Sequence, residues 1–172
     1  MLHNTEGSNH LNLQLKTMGK EIEKKYLIDH KKWQNTIKPK GEFYRQGYLL
    51  AELNKTIRVR LTEKSGYLTI KGQAIGITTP EFEYPIPMHD AKELLDTLCT
   101  SEISKIRYKF NYHNKLWEID EFLGDNKGLI IAEIELNSED EKYDLPDFIL
   151  QEVTGEKKYY NAQLSVNSFN NW

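Results

Sequence analysis

A triplet of glutamate, one apolar residue and a second glutamate occurs three times in this chain: Glu21-Ile22-Glu23, Glu81-Phe82-Glu83 and Glu133-Ile134-Glu135. Basic residues recur at the same alternate spacing in Arg58-Val59-Arg60 and Lys105-Ile106-Arg107, and Lys25 stands two places past Glu23. On a β-strand, successive side chains point to opposite faces and same-face neighbours lie about 6.6 Å apart. Each triplet therefore sets two like charges on one face and an apolar residue on the other. Two carboxylates at that separation repel by about 2 to 3 kcal/mol at an effective dielectric of about 20. Three such pairs gathered in one place need metal ions or basic side chains to neutralise them. The pattern reads as a charged ligand site built on strands.

Period two dominates most of the chain. Strands are expected over residues 19–28, 43–51, 56–63, 67–72, 79–86, 103–112, 116–122 and 129–136, joined by turn signals at Lys64-Ser65-Gly66, His113-Asn114 and Asp125-Asn126-Lys127-Gly128. Eight strands with short turns suggest a mainly β, α+β fold, an antiparallel barrel with a few peripheral helices. Those helices are expected at 90–99, after a cap at Asp90, and at 147–153 and 156–166. One face of the strands carries Ile22, Val59, Leu68, Ile70, Phe82, Ile106, Ile119 and Ile134; the other carries the charges, Lys71 and Asp120 among them. A charged face turned to water is the plain alternative, since exposed cross-strand pairs contribute only tenths of a kcal/mol. Against it stand the repetition on nearly every strand and the arginines, whose planar fork matches phosphate oxygens. If the sheet closes with the charges inside, the interior is wet and helices must cover the apolar outside.

Composition narrows the function. At 172 residues with 38% hydrophobic residues, the chain suits one domain, residues 19–172, preceded by a loose extension at 1–18 whose Met18 is an alternative start. A net charge of -3 argues against a nucleic-acid-coating surface. Cys99 is the only cysteine, so no internal disulfide forms and a cytoplasmic setting is expected. The five histidines are scattered, which directs any metal to oxygen ligands. No apolar run approaches the roughly 20 residues of a membrane span, and no secretory signal is evident. A monomer or homodimer is expected.

The string Glu21-Ile22-Glu23-Lys24-Lys25 resembles the E-x-E-x-K signature of the CYTH superfamily, the triphosphate tunnel metalloenzymes. Further matches follow in order: Arg45-Gln46-Gly47-Tyr48-Leu49, Ile57-Arg58-Val59-Arg60, Leu68-Thr69-Ile70-Lys71, Glu81-Phe82-Glu83, Lys105-Ile106-Arg107-Tyr108, Trp117-Glu118-Ile119-Asp120, Ala132-Glu133-Ile134-Glu135 and Glu152-Val153-Thr154 with Lys157-Lys158-Tyr159. The resemblance runs from about Gly19 to Ser165 and is nearest to small inorganic triphosphatases. It implies an eight-stranded closed tunnel that cleaves inorganic triphosphate to diphosphate and phosphate with Mg²⁺ or Mn²⁺. Class IV type adenylate cyclase and a non-catalytic polyphosphate- or nucleotide-binding module are the alternatives.

The resemblance also implies roles. Lys25, Arg58, Arg60, Lys71, Lys105, Arg107 and Lys157 would grip phosphate. Glu21, Glu23, Glu133 and Glu135 would hold metal, with Glu81, Glu83 and Asp120 as further ligands, although Asp120 could instead orient a basic residue. Lys25, Glu23 and Tyr48 are the catalytic candidates; Tyr48 either positions phosphate or attacking water, or is a packing tyrosine of the barrel.

Overall fold

The computed structural model describes residues 19–172; the expected loose extension at 1–18 lies outside the described residues. Ten strands form one antiparallel sheet: β1 (Glu21–Ile28), β2 (Glu42–Ala51), β3 (Thr56–Thr62), β4 (Gly66–Lys71), β5 (Thr78–Thr79), β6 (Glu81–Ile86), β7 (Ser101–Tyr112), β8 (Lys115–Phe122), β9 (Ile130–Glu135) and β10 (Ile149–Glu152). Their order is β10-β1-β9-β8-β7-β2-β3-β4-β6, with β5 paired to β1. The sheet curls until its ends meet: β5 pairs Glu21 with Thr79, and the Glu81 amide donates to the Gly19 carbonyl at 3.3 Å. The result is a nearly closed barrel with two more strands than the eight expected.

One extra strand has a local cause and the other a long-range one. Residues 79–86 do not run as one strand because Pro80, which lacks an N–H, separates β5 from β6. Residues 147–153 were expected to be helical, yet Ile149–Glu152 extends as β10 along β1, with Tyr26 opposite Glu152 and Ile28 opposite Ile149. Phe148 is drawn into the apolar cluster around Trp33, which fixes this segment against the sheet. The helix expected over 156–166 is a 3-10 turn at Lys157–Tyr159 followed by the short α3 (Asn161–Leu164). Asp90 is not a cap; α2 (Met88–Thr97) starts two residues earlier behind Pro87. Sequence periodicity gave no sign of α1 (His30–Asn35), a six-residue helix capped by the Asp29 carboxylate that buries Trp33 alone. The His113-Asn114 turn holds both residues at positive φ (44° and 63°), the geometry of a two-residue hairpin between β7 and β8.

The apolar outer face is covered only partly by helices. Trp33, from α1, and Phe148 pack with Tyr26, Trp117, Ile119, Ala132 and Ile134 on β1, β8 and β9. Helix α2 covers Val59 with Ala91 and Leu95, while Ile70 and Phe82 stay exposed. Inside the barrel, the inward rows change from charged to apolar at one end. Alternation places Leu27, Ile103, Phe122 and Ile131 on the same faces as Lys25, Lys105, Asp120 and Glu133, and there they pack against Val153, Tyr159 and Leu164.

Gly47 on β2 is where α2 and the residues after it approach closest. A Cβ there would lie 2.7 Å from Cys99 Sγ and 2.7 Å from Leu95 Cδ2. Gly47→Ala is expected to lower stability by about 1 to 3 kcal/mol, read by urea unfolding. Unchanged stability would mean that α2 shifts without resistance.

Candidate active site

The inward faces of the strands line one cavity of about 1250 Å³. Its walls include Leu53 and Lys55 from the loop before β3 and Lys64 and Ser65 from the loop after it, so the cavity runs the length of β3. Twelve of the sequence candidates line it: Glu21, Glu23, Lys25, Tyr48, Arg58, Arg60, Lys71, Glu81, Glu83, Arg107, Glu133 and Glu135. Strand register brings them together from distant parts of the chain. In β1 and β9, Lys25 stands opposite Glu133 and Glu23 opposite Glu135. Through β3, β4 and β6, Arg58 is level with Thr69 and Glu83, and Lys71 with Glu81.

Lys25, Arg58, Arg60, Lys71 and Arg107, the cations of the inner wall singled out from the sequence, are all engaged by carboxylates. Lys25 Nζ donates to Glu133 and lies 3.0 Å from Glu23 Oε1. Lys71 bridges Glu21 and Glu81. Arg60 donates to Glu83 Oε1 at 2.9 Å, while Arg58 donates to Thr69 Oγ1, whose own hydroxyl donates to Glu83 Oε2 at 2.8 Å. Burial pulls the Lys25 and Lys71 ammonium groups down, but their glutamate neighbours outweigh it and hold both above the usual lysine value. Burial pushes Glu133 up, and Lys25 and Arg107 overcome it, so its carboxyl stays well below the usual range. Tyr48 is buried and its phenol is raised by desolvation, which keeps the hydroxyl protonated as a donor.

Three candidates stand elsewhere. Lys105 and Asp120 are sealed behind the wall with no exposed side-chain surface, joined at 2.6 Å. Asp120 also accepts from Arg107 Nε and Nη2, both at 2.6 Å, so it orients that guanidinium from behind. Lys157 is exposed in the turn before α3, outside the cavity wall, because the chain has left the barrel there. Sequence reading passed over Thr69, Glu118, Tyr44 and Tyr67. Glu118 and Thr69 carry the same two-residue spacing from Asp120 and Lys71 that marked the others, and Glu118 accepts from Arg107 Nη1. Tyr44 lies on the inward row of Tyr48, and Tyr67 stands opposite Arg60.

Lys105 carries a pH prediction. Burial, with Arg107 adding to it, pushes its ammonium down to about 8 against the ordinary 10.5, and Asp120 offsets this only in part. A base depressed on folding holds fewer protons folded than unfolded between those two values, so its contribution to stability rises with pH across that window and is flat below it. The stability of the wild type relative to Lys105→Met is therefore expected to improve from about pH 8 to about pH 10 in urea unfolding. A constant difference would contradict the depressed value.

Comparison with known protein families matches residues 19–166 to the CYTH domain. The chain belongs to the CYTH family. Among relatives of this CYTH protein, an inorganic triphosphatase of Acetivibrio thermocellus is 46% identical over 156 residues, 90% of this chain and 99% of that one. An inorganic triphosphatase of Nitrosomonas europaea is 29% identical over 154 residues, 85% of this chain and 97% of that one. A crystal structure of an inorganic triphosphatase superposes with a TM-score of 0.58 at 26% identity, covering 85% of this chain and 97% of that one. A Bacillus halodurans structure provisionally named an adenylate cyclase shares the fold, with a TM-score of 0.59 at 18% identity over 71% of this chain and 84% of that one. No helix among the described residues is long and apolar enough to cross a membrane.

Membership of the CYTH family implies a divalent metal, and the residues fit one. Glu23 and Glu135 face the cavity directly opposite each other on adjacent strands, an arrangement that repels unless a cation lies near. Among the described residues no three Asp, Glu, His or Cys side chains form a ready cage. A small hard ion such as Mg²⁺ needs none, since it takes one or two carboxylates and completes its shell with water and phosphate oxygens.

Proposed function

We propose that the protein hydrolyses inorganic triphosphate to diphosphate and phosphate within this cavity, using Mg²⁺ or Mn²⁺. The observation that carries the reading is the charge balance of the wall: nine glutamates and nine lysines or arginines line the same space. A wall meant only to bind a polyanion would be better served by fewer carboxylates, whereas a balanced one accepts a polyanion together with cations. Both triphosphatase relatives span nearly the whole described chain, which supports the same substrate.

Glu21, Glu23, Glu133 and Glu135 would hold the metal, which when bound supplies charge neutralisation on the phosphate oxygens and a more acidic water. The chain's own groups supply the rest. Lys25, Arg58, Arg60 and Lys71 present cations from three strands, β1, β3 and β4, so the phosphates exchange for the carboxylates that hold these groups beforehand. Preorganised charges of this kind stabilise the transferring phosphoryl group without rearranging as charge moves. Tyr48, kept protonated, donates a hydrogen bond to a phosphate oxygen or to the attacking water. Glu81 and Glu83 act as counter-charges that hold Lys71, Arg58 and Arg60 at the wall. Residues 19–172 act as one tunnel domain, and the single cysteine suits a cytoplasmic setting.

A colorimetric phosphate assay with triphosphate and with ATP, run with Mg²⁺, Mn²⁺ and chelator, tests the reading. Phosphate release from triphosphate that stops with chelator is expected. Cyclic AMP and diphosphate from ATP would replace the reading with a cyclase, and tight binding of triphosphate without product would replace it with a binding module.

A further inference from the structure

Two arginines of the wall are held in opposite ways. Arg107 is held by its edges: Nε and Nη2 donate to Asp120, Nη1 to Glu118 and Nη2 again to Glu133. Four of its five N–H directions are thus engaged by carboxylates before any ligand arrives. Arg60 donates once, to Glu83, and its Nε donates to no acceptor. Its guanidinium is instead flanked by rings, with the Tyr67 centroid 4.7 Å and the Tyr44 centroid 5.4 Å from its central carbon. A ring attracts a guanidinium through the face of the cation, whereas hydrogen bonds leave through the edge. Contact of this kind takes none of the N–H donors of Arg60, of which Glu83 uses one. The three residues come from neighbouring strands, with Tyr67 directly opposite Arg60 and Tyr44 one inward position along β2, and all three line the cavity.

We propose that Tyr44 and Tyr67 are positioning residues: their rings clamp Arg60 by its faces and aim its N–H edge into the cavity, so that Arg60, unlike Arg107, keeps N–H donors to grip phosphate oxygens in a bidentate way. The inference rests on the triphosphate reading and adds the residues that set how tightly that substrate is held. The ring, and not the phenol hydroxyl, is the working part. Tyr44 also lies 5.4 Å from Arg107, so its loss disturbs both cations, while Tyr67 addresses Arg60 alone. Tyr67 is half-buried, which makes it the better position to vary.

Steady-state hydrolysis of triphosphate by the full chain, with melting temperature as a control of folding, provides the test. Tyr67→Leu is expected to raise KM about tenfold, the scale of one desolvated cation–ring contact, while Tyr67→Phe and Tyr44→Phe stay within about twofold of wild type. In an Arg60→Gln background, Tyr67→Leu is expected to change KM by less than about twofold, because its effect passes through Arg60. An equal loss in both backgrounds, or a wild-type KM in Tyr67→Leu, overturns the clamp while the triphosphatase reading stands. Should Tyr67→Leu fold poorly, Tyr67→Met fills the space without a ring and carries the same expectations. A wild-type protein that neither binds nor cleaves triphosphate overturns the function itself, and the clamp with it.

Discussion

Glu23→Gln is expected to cut phosphate release from triphosphate by roughly a hundredfold or more, the scale of removing one preorganised electrostatic group from a site. The change keeps the volume of the side chain and removes only its charge. Glu23 stands opposite Glu135 and within 3.0 Å of Lys25, so the charge lost is one that the ammonium uses and that, in the proposed function, the metal uses as well. Folding should survive, because Lys25 retains Glu133 and the glutamine side chain keeps an oxygen acceptor beside it. Phosphate release and a thermal melt on the same preparation check both halves. Near-normal turnover in a folded Glu23→Gln protein would remove this carboxylate from the metal site.

Asp120→Ala is expected to produce the largest loss of stability, about 3 to 5 kcal/mol, by stranding buried charge. Asp120 and Lys105 have no exposed side-chain surface, and Arg107 is nearly as enclosed. One carboxylate serves both cations with three hydrogen bonds, all of 2.6 Å. Asp120→Asn, which keeps an acceptor in place, should lose less than the alanine variant. Urea unfolding of the two variants beside wild type measures the difference, and a loss below about 1 kcal/mol for Asp120→Ala would mean that water reaches this pair.

The sequence made the inner wall legible because alternation is a local property. A residue two places from Glu23 or Arg58 shares its face whatever the strand pairs with, so closing the sheet brought twelve candidates to one cavity. Lys105 and Asp120 share those faces too, yet lie behind the wall; face is local, whereas depth depends on what fills the barrel end. Leu27, Ile103, Phe122 and Ile131 fill it with residues from the C-terminal turns. Lys157 matched a motif beyond the last strand, where alternation no longer fixes direction. Helix α1 and strand β10 escaped notice for a related reason. Each is held by a few long-range contacts, Trp33 and Phe148 chief among them, and neither is long enough to display a period of its own. The aromatic neighbours of Arg60 were hidden because tyrosines on a barrel strand carry no sign of the cation they will face.

The pairing of β1 with β9 joins parts of the chain more than a hundred residues apart, whereas β2 to β4 and β7 to β9 are built from sequence neighbours. Closing that long loop is a slow, entropy-limited event, so hairpins assemble early and the pairing of β1 with β9 comes late. Glu23 and Glu135 face each other across that pairing. A half-folded chain therefore lacks the opposed carboxylates, and any cation or polyanion held there binds the finished barrel alone, acting as a clasp that raises its resistance to heat with the logarithm of ligand concentration.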